Sequence, residues 1–372
     1  RIYFAPKPEH EAVALEAKPA WRPEVTISGS TQYLGVKPYG MDRFDQLFTP
    51  RQIVALTTFS DLVQELRGRI ILDAGQSGMP TDELGIAAKG CAAKAYAETV
   101  STYLAFAVSK AADRNSSLCF WESPMKRLRG TFGRQVLPMV WDYAETNPFA
   151  GAGGDIYGTA HSLCEVLDNL TSSGRAFALQ ADAQAQSIST NKVISTDPPY
   201  YDNVPYADLS DFFYLWLRRS LRTVFPDLFA TLVTPKTAEL VAFAYRHEGK
   251  AGAEAFFLEG MTQAMHRLAE QSHPAFPVTI YYAFKQSESD TETGTASTGW
   301  ETFIDAVIRA GFAISGTWPM RTELTVAIKK SLSALASSII LVCRPRATDA
   351  PTATRREFIT ALKAELPVAL AH

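Results

Sequence analysis

Apolar positions along this chain follow two periods, and the change comes near Pro148. Upstream, Ile53, Leu56, Val63, Leu66 and Ile70 recur at helical intervals or their multiples, which predicts one buried helix face. The start of that helix is written in Thr49-Pro50-Arg51-Gln52: Thr49 is the N-cap, Pro50 the first helical residue, and Gln52 closes a capping box. A second, alanine-rich helix is predicted from Leu84 to about Val108, with Tyr96, Tyr103 and Phe106 as core aromatics. Residues 1–40, with prolines at 6, 8, 19, 23 and 38, show no helical period and read as loop and short strand. The first part of the chain is therefore an irregular segment followed by a mainly helical region over 41–147.

Downstream, strand-like runs alternate with helical ones. A helix from Asp155 to about Leu170 is followed by a strand, Arg175 to Gln180, closed by Asp182. A second strand ends at Asp197, and Asp208 opens an amphipathic helix carrying Leu209, Phe212, Phe213, Trp216 and Leu217, stopped by Pro226. After a helix over 251–271, the nearly continuous apolar run Pro277 to Phe284 predicts a central strand covered on both faces. Thr298-Gly-Trp-Glu301 is a capping box for a helix whose Phe303, Ile304, Val307 and Ile308 face inward until Gly311. Strands over 313–318 and 338–343 follow without a helix between them. The expected fold class is α/β: a doubly wound, Rossmann-like sheet ending in an antiparallel hairpin at one edge, beside the mainly helical amino-terminal region. In such sheets ligands sit beyond the carboxyl ends of strands, where Asp182 and Asp197 both fall.

Composition narrows the class without naming a chemistry. The 372 residues are 47% hydrophobic and 20% charged, ordinary for a globular protein. No apolar run reaches the ~18 residues that span a bilayer and no secretory signal opens the chain, so no membrane partner is expected and the cytoplasm is the default location. Cys91, Cys119, Cys164 and Cys343 are far apart, and the six histidines make no metal spacing, so no metal is expected. The net charge of −3 gives no global attraction to nucleic acid, so any such contact is local. The candidate patches are Lys126, Arg127, Arg129 and Arg134, and then Arg218, Arg219 and Arg222; the same residues also read as solvated faces.

Asp197-Pro198-Pro199-Tyr200 carries the most chemistry. A strand that stops on an acid, two prolines and an aromatic aims a carboxylate, free carbonyls and a ring into whatever lies beyond it. Such a set suits methyl transfer to the exocyclic amine of a base, whose lone pair is delocalised until acceptors take its hydrogens. Asp197 and the Pro198 carbonyl are suitable acceptors, the prolines hold them without further ordering cost, and Tyr200 is placed to stack on an extruded base. The plainer reading is a proline-ended edge strand and a turn.

On that motif, and on Phe48 to Thr58, Asn115 to Cys119, Thr131 to Gln135, Asn147-Pro-Phe149, Phe212 to Arg218, Thr234-Pro-Lys236 and Thr317-Trp-Pro319, the chain resembles the large zinc-ribbon-containing adenine-specific DNA methylases found near phage-defence genes. The resemblance spans roughly residues 40–345. It implies an S-adenosylmethionine-dependent enzyme that methylates the adenine amine of DNA, with other subunits of a defence system as possible partners. It makes Asp197, Pro198, Pro199 and Tyr200 catalytic, sets Tyr201, Asp202 and Asn203 beside the target base, and puts Asp182 near the cofactor's adenine. Residues 41–147 become a target-recognition region, 148–348 the catalytic domain and 349–372 a carboxyl-terminal helix or tail. The zinc-ribbon cysteines and the usual glycine-rich cofactor turn are missing from the matched stretch, so the chain reads as the carboxyl-terminal part of a longer enzyme, with 1–40 a remnant of an upstream region. Phe149, Gly151 and Gly153, before a helix and after the possible strand Met139 to Tyr143, are a substitute cofactor turn or a glycine-rich interdomain loop. Methylation of RNA or of a protein amide, and a non-catalytic nucleic-acid-binding fragment, are the alternatives.

Overall fold

A computed structural model describes residues 5–170, 174, 176–283, 298–321, 337–347 and 349–370. In chain order the elements are α1 (Pro8–Leu15), α2 (Pro50–Gln76), α3 (Ala93–Ala112), β1 (Phe120–Glu122), β2 (Arg127–Arg129), α4 (Ile156–Asn169), β3 (Ser195–Thr196) and α5 (Tyr206–Leu221). They continue with α6 (Lys250–Gln271), β4 (Val278–Ala283), α7 (Thr298–Arg309), β5 (Phe312–Arg321), β6 (Ser337–Pro345) and α8 (Arg355–Leu370). The described residues form a mixed α/β protein with eight α-helices and two small sheets. They group into two compact units, 1–177 with 203–239, and 178–202 with 240–372. Residues 148–348 therefore do not pack as one body, because 203–239 groups with the amino-terminal helices.

The first unit is built on α2, α3 and α5. Thr49 caps α2 as expected: its hydroxyl accepts from the Gln52 amide at 3.3 Å, and the Gln52 side chain accepts from the Thr49 amide at 2.8 Å. Small residues on α3, among them Ala105, Ala111 and Ala112, are buried in the same core as Ile53 and Leu56 of α2. Phe212 and Trp216 of α5 meet Phe48 as a stacked ring and an edge, both at 5.4 Å. Two buried acids fasten α5. Asp208 accepts from the Ser28 hydroxyl at 2.5 Å, while Asp211 takes the Lys236 ammonium at 2.7 Å and the Thr234 hydroxyl at 2.6 Å.

Several expectations in this unit are corrected. Asp208 does not open its helix; α5 starts at Tyr206 and ends at Leu221, before Pro226. The alanine-rich helix begins only at Ala93, since Lys89 takes a left-handed φ of 60° and residues 86–88 make a 3-10 turn. Tyr96 and Phe106 are exposed, not core, as is Leu66. The amino-terminal segment contains α1 and sends Ile27, Leu34 and Val36 into the core, so it is part of this unit's packing.

In the second unit four strands lie in the order β3-β4-β6-β5. Parallel pairing sets Ser195 opposite Thr279 and Thr196 opposite Ile280. β6 is antiparallel to both β4 and β5, so β3, β4 and β5 run one way with the last strand inserted against them. The last two strands pair antiparallel at one edge of the sheet, as expected, with β5 outermost and β6 between it and β4. β4 is not covered alike on both faces: Val278, Ile280 and Tyr282 are buried and Thr279, Tyr281 and Ala283 half-buried. The buried set packs with Phe257 and Met261 of α6 and with Phe303 of α7, whose ring stacks on Tyr282 at 4.0 Å; Ile308, expected inward, is exposed. The strand expected over 175–180 is absent at 176–180, where the chain pairs with no strand among the described residues and Phe177 and Leu179 are 81% and 69% exposed. The described residues thus carry one parallel pair and no doubly wound sheet. Arg175, Phe284 and the side chain of Thr298 lie outside the described residues, as do the last two residues of the expected tail.

Thr49→Ala removes an acceptor from the first turn of α2, a change that costs about 1 kcal/mol. Urea unfolding is expected to show an unfolding free energy lowered by that amount, with the midpoint at lower urea, and an unchanged midpoint would remove the cap from the account.

Candidate functional site

The site grows from the way β3 ends. The Ile194 carbonyl accepts from Thr279 at 3.0 Å, the ladder runs through Thr196, and then Pro198 and Pro199 have no N–H with which to extend it. The chain leaves the sheet. Pro198 is buried and the Asp197 side chain exposed. The Tyr200 hydroxyl donates to Asp197 Oδ1 at 2.9 Å, and the Tyr200 ring meets Tyr282 edge to face at 5.7 Å. At Tyr201 the backbone turns into the left-handed region, φ 47°, sparsely used by bulky residues and costly unless the surroundings hold it. Those surroundings are the Ala242 amide, donating to the Tyr201 carbonyl at 3.0 Å, the Phe257 ring at 5.0 Å, and Gly299, where an added Cβ would lie 3.0 Å from the Tyr201 ring.

Beside this turn is a cavity of about 330 Å³, within the range of small-ligand pockets. Thr196, Asp197, Pro198 and Pro199 form one wall, Met261, Met265 and Leu268 of α6 another, and Leu179, Gln186 and Ile188 a third. Among the described lining residues Asp197 is the one ionisable side chain. An exposed carboxylate in an otherwise neutral lining can accept hydrogen bonds from a ligand that carries N–H groups.

The structure brings Asp197, Pro198 and Pro199 together at this cavity and sorts the other candidates differently. Tyr200 is not among the residues that line the cavity; it packs on Tyr282 and its hydroxyl holds Asp197. Tyr201 is buried and packs against Phe257. Asp202 is half-buried in the next turn, and Asn203 belongs to the first unit. Asp182 does not reach the cavity either: its carboxylate accepts from the Gln184 amide at 2.9 Å in a local turn, and its neighbours Ala181 and Ala183 do the lining.

Phe149, Gly151 and Gly153 lie in the first unit. No strand leads into them, because 139–143 is irregular. The Gly151 amide is already used, donating at 2.9 Å to Asp155, which also caps α4 by accepting from Gly158 at 2.7 Å. These two amides, Gly158 first, hold the Asp155 carboxyl below its usual range. The Gly151 amide is thus committed to a helix cap, while Phe149 lines a cavity of about 580 Å³ in the first unit with Asn115, Asn147 and Pro148.

Arg127 and Arg129 sit on the β1–β2 hairpin, whose register sets Glu122 opposite Arg127. Both bond Glu122, at 2.7 and 3.1 Å, and hold its carboxyl below the ordinary value, Arg127 foremost. In the second patch Arg218 bonds the Phe229 and Thr231 carbonyls and Arg219 pairs with Asp61, while among the described residues neither Arg222 nor Arg134 makes a side-chain hydrogen bond or ion pair. Arg134 lines a pocket of about 480 Å³ in the first unit. The α6 wall of the other cavity was not foreseen from sequence, since Met261, Met265 and Leu268 have the spacing of any buried helix face. Among the described residues no group of three His, Cys, Asp or Glu side chains is placed to hold a metal, and no helix is long and apolar enough to cross a membrane.

No family model matches the chain, and no curated protein or solved structure matches it.

The Asp155 cap predicts a pH dependence. Its folded pKa is depressed, so its contribution is present above the unfolded value of roughly 4 and is lost as pH falls through the folded value. Thermal melts of Asp155→Asn are expected to fall less steeply than those of the unmodified protein below pH 4; parallel curves would contradict the cap.

Proposed function

We propose that this chain is an amino-group methyltransferase acting on the exocyclic amine of adenine in DNA, with the loop at Asp197 as the amine-binding end of its site. The observation that carries the reading is that Asp197, Pro198 and Pro199 wall a cavity otherwise lined by apolar and neutral side chains. A base amine shares its lone pair with the ring and attacks poorly while planar. Acceptors for its hydrogens favour the tetrahedral nitrogen of the transition state.

In this reading the Asp197 carboxylate, held by the Tyr200 hydroxyl, accepts one amine hydrogen and the Pro198 carbonyl the other. The two prolines keep these acceptors in place before the base arrives, and the methionines and Leu268 of α6 press on the ring and exclude water. The antiparallel β5–β6 hairpin at one edge of the sheet is the part of the expected outline that supports this reading. S-adenosylmethionine is the proposed methyl donor on the resemblance alone. The Gly151 amide expected to face its amino-acid half is committed to Asp155, and the roles of Asp197, Pro198 and Tyr200 concern only the amine. DNA is the partner this reading requires.

The test is methyl transfer from S-adenosylmethionine to DNA lacking methylated adenine. Asp197→Ala is expected to lower the rate roughly 10²–10³-fold, the loss seen when one such preorganised group is removed, with DNA affinity unchanged. Asp197→Asn, which keeps a carbonyl acceptor, is expected to fall between. Tyr200→Phe is expected to lose about tenfold, equivalent to ~1.4 kcal/mol of transition-state stabilisation. Full activity in the alanine variant would remove the loop from the chemistry.

A further inference from the structure

The first unit holds a second pocket, of about 480 Å³, between the loop 132–135 and the start of α5. Its apolar walls include Phe132 and Phe213, whose rings lie 5.0 Å apart and inclined at 35°. Three polar side chains at its surface, Arg134, Gln135 and Ser210, make no side-chain hydrogen bond or ion pair among the described residues. The loop that carries Arg134 is fixed from behind. Arg129 reaches the Gly133 carbonyl at 3.1 Å, and an added Cβ at Gly133 would lie 2.6 Å from the Arg129 guanidinium, so the loop packs onto that side chain.

We propose that this pocket binds one nucleotide unit of a single DNA strand, its phosphate on Arg134 and its base against Phe132 and Phe213. Each part has a physical reason. Stacking on aromatic side chains is worth ~1–3 kcal/mol per base and tolerates any base. A guanidinium already paired to a carboxylate gains little from a phosphate, and Arg127 and Arg129 are both paired to Glu122. In a chain of net charge −3, attraction to a strand must come from an uncommitted cation, and Arg134 is one. Gln135 and Ser210 add a donor amide and a hydroxyl at the rim, as a sugar or a base edge requires. An acidic peptide would use the cation and leave the aromatic walls unused. This inference rests on the nucleic-acid substrate proposed above.

The experiment is fluorescence anisotropy of a labelled twelve-nucleotide single strand with the full chain at several salt concentrations, for the unmodified protein, Arg134→Ala and Arg134→Lys. Arg134→Ala is expected to weaken binding about tenfold and to reduce the slope of log K on log salt by about one phosphate contact; Arg134→Lys is expected to restore the slope. A merely structural role for Arg134 would not move the slope. Affinity and slope unchanged in Arg134→Ala would overturn the proposal. So would binding of adenosine monophosphate without binding of the strand. Methyl transfer by Asp197→Ala, measured in parallel, separates the two readings: if transfer is lost there while Arg134→Ala binds the strand normally, only the pocket proposal fails.

Discussion

A proline cannot donate a backbone hydrogen bond, and two in succession after Asp197 decide where the chain leaves the sheet of the second unit. With no amide to offer the neighbouring strand, the chain must leave the sheet at Asp197, at the carboxyl end of the parallel strand β3. The rest of the site is a consequence of that exit. Tyr200 turns back to bond the acid, Tyr201 takes a left-handed backbone held in place by Phe257 and Ala242, and α6 supplies the facing apolar wall. The cavity depends on a two-residue ladder being stopped at the right place.

The first unit is held by a different principle. α5 carries two acids one turn apart, Asp208 and Asp211, both inside the unit and both satisfied, by Ser28 and by Lys236 with Thr234. Breaking one partner of a buried pair leaves an uncompensated charge, which costs more than the pair gains. These bonds therefore fix the position of the helix more than they add stability. The same helix presents Ser210 and Phe213 to the pocket that Arg134 lines.

Local signals were legible in the sequence and pairwise ones were not. Thr49 caps the helix it was expected to cap, because a cap needs only its own next three residues, and Asp155, where the next helix was expected to start, proves to be its N-cap. The strand at Asp197 was legible for the same reason, since prolines end a ladder wherever they fall. The run at 176–180 has strand composition, yet a strand exists only when paired, and no partner lies beside it among the described residues. β4 read as buried on both faces because tyrosine and alanine suit either surface; its alternating burial comes from the helices against its Val278, Ile280 and Tyr282 face. Charge type gave Arg127 and Arg129 as candidates, but the hairpin register brings Glu122 to them. The glycines at 151 and 153 have the composition of a ligand cradle, but Asp155 occupies the Gly151 amide. For the candidate site, the acid and prolines were readable, whereas the α6 wall appears only when a distant helix is folded against them.

The central claim, that the slot beside Asp197 accepts an adenine ring, is tested most directly by carbon-13 labelling of the methionine methyl groups. The chain has seven methionines, and Met261 and Met265 line the slot. Titration with adenosine is expected to shift those two signals through the ring current of the bound base and to leave the others in place, with thymidine far weaker. Adenosine that moves neither signal, or moves them no more than thymidine does, would contradict the account.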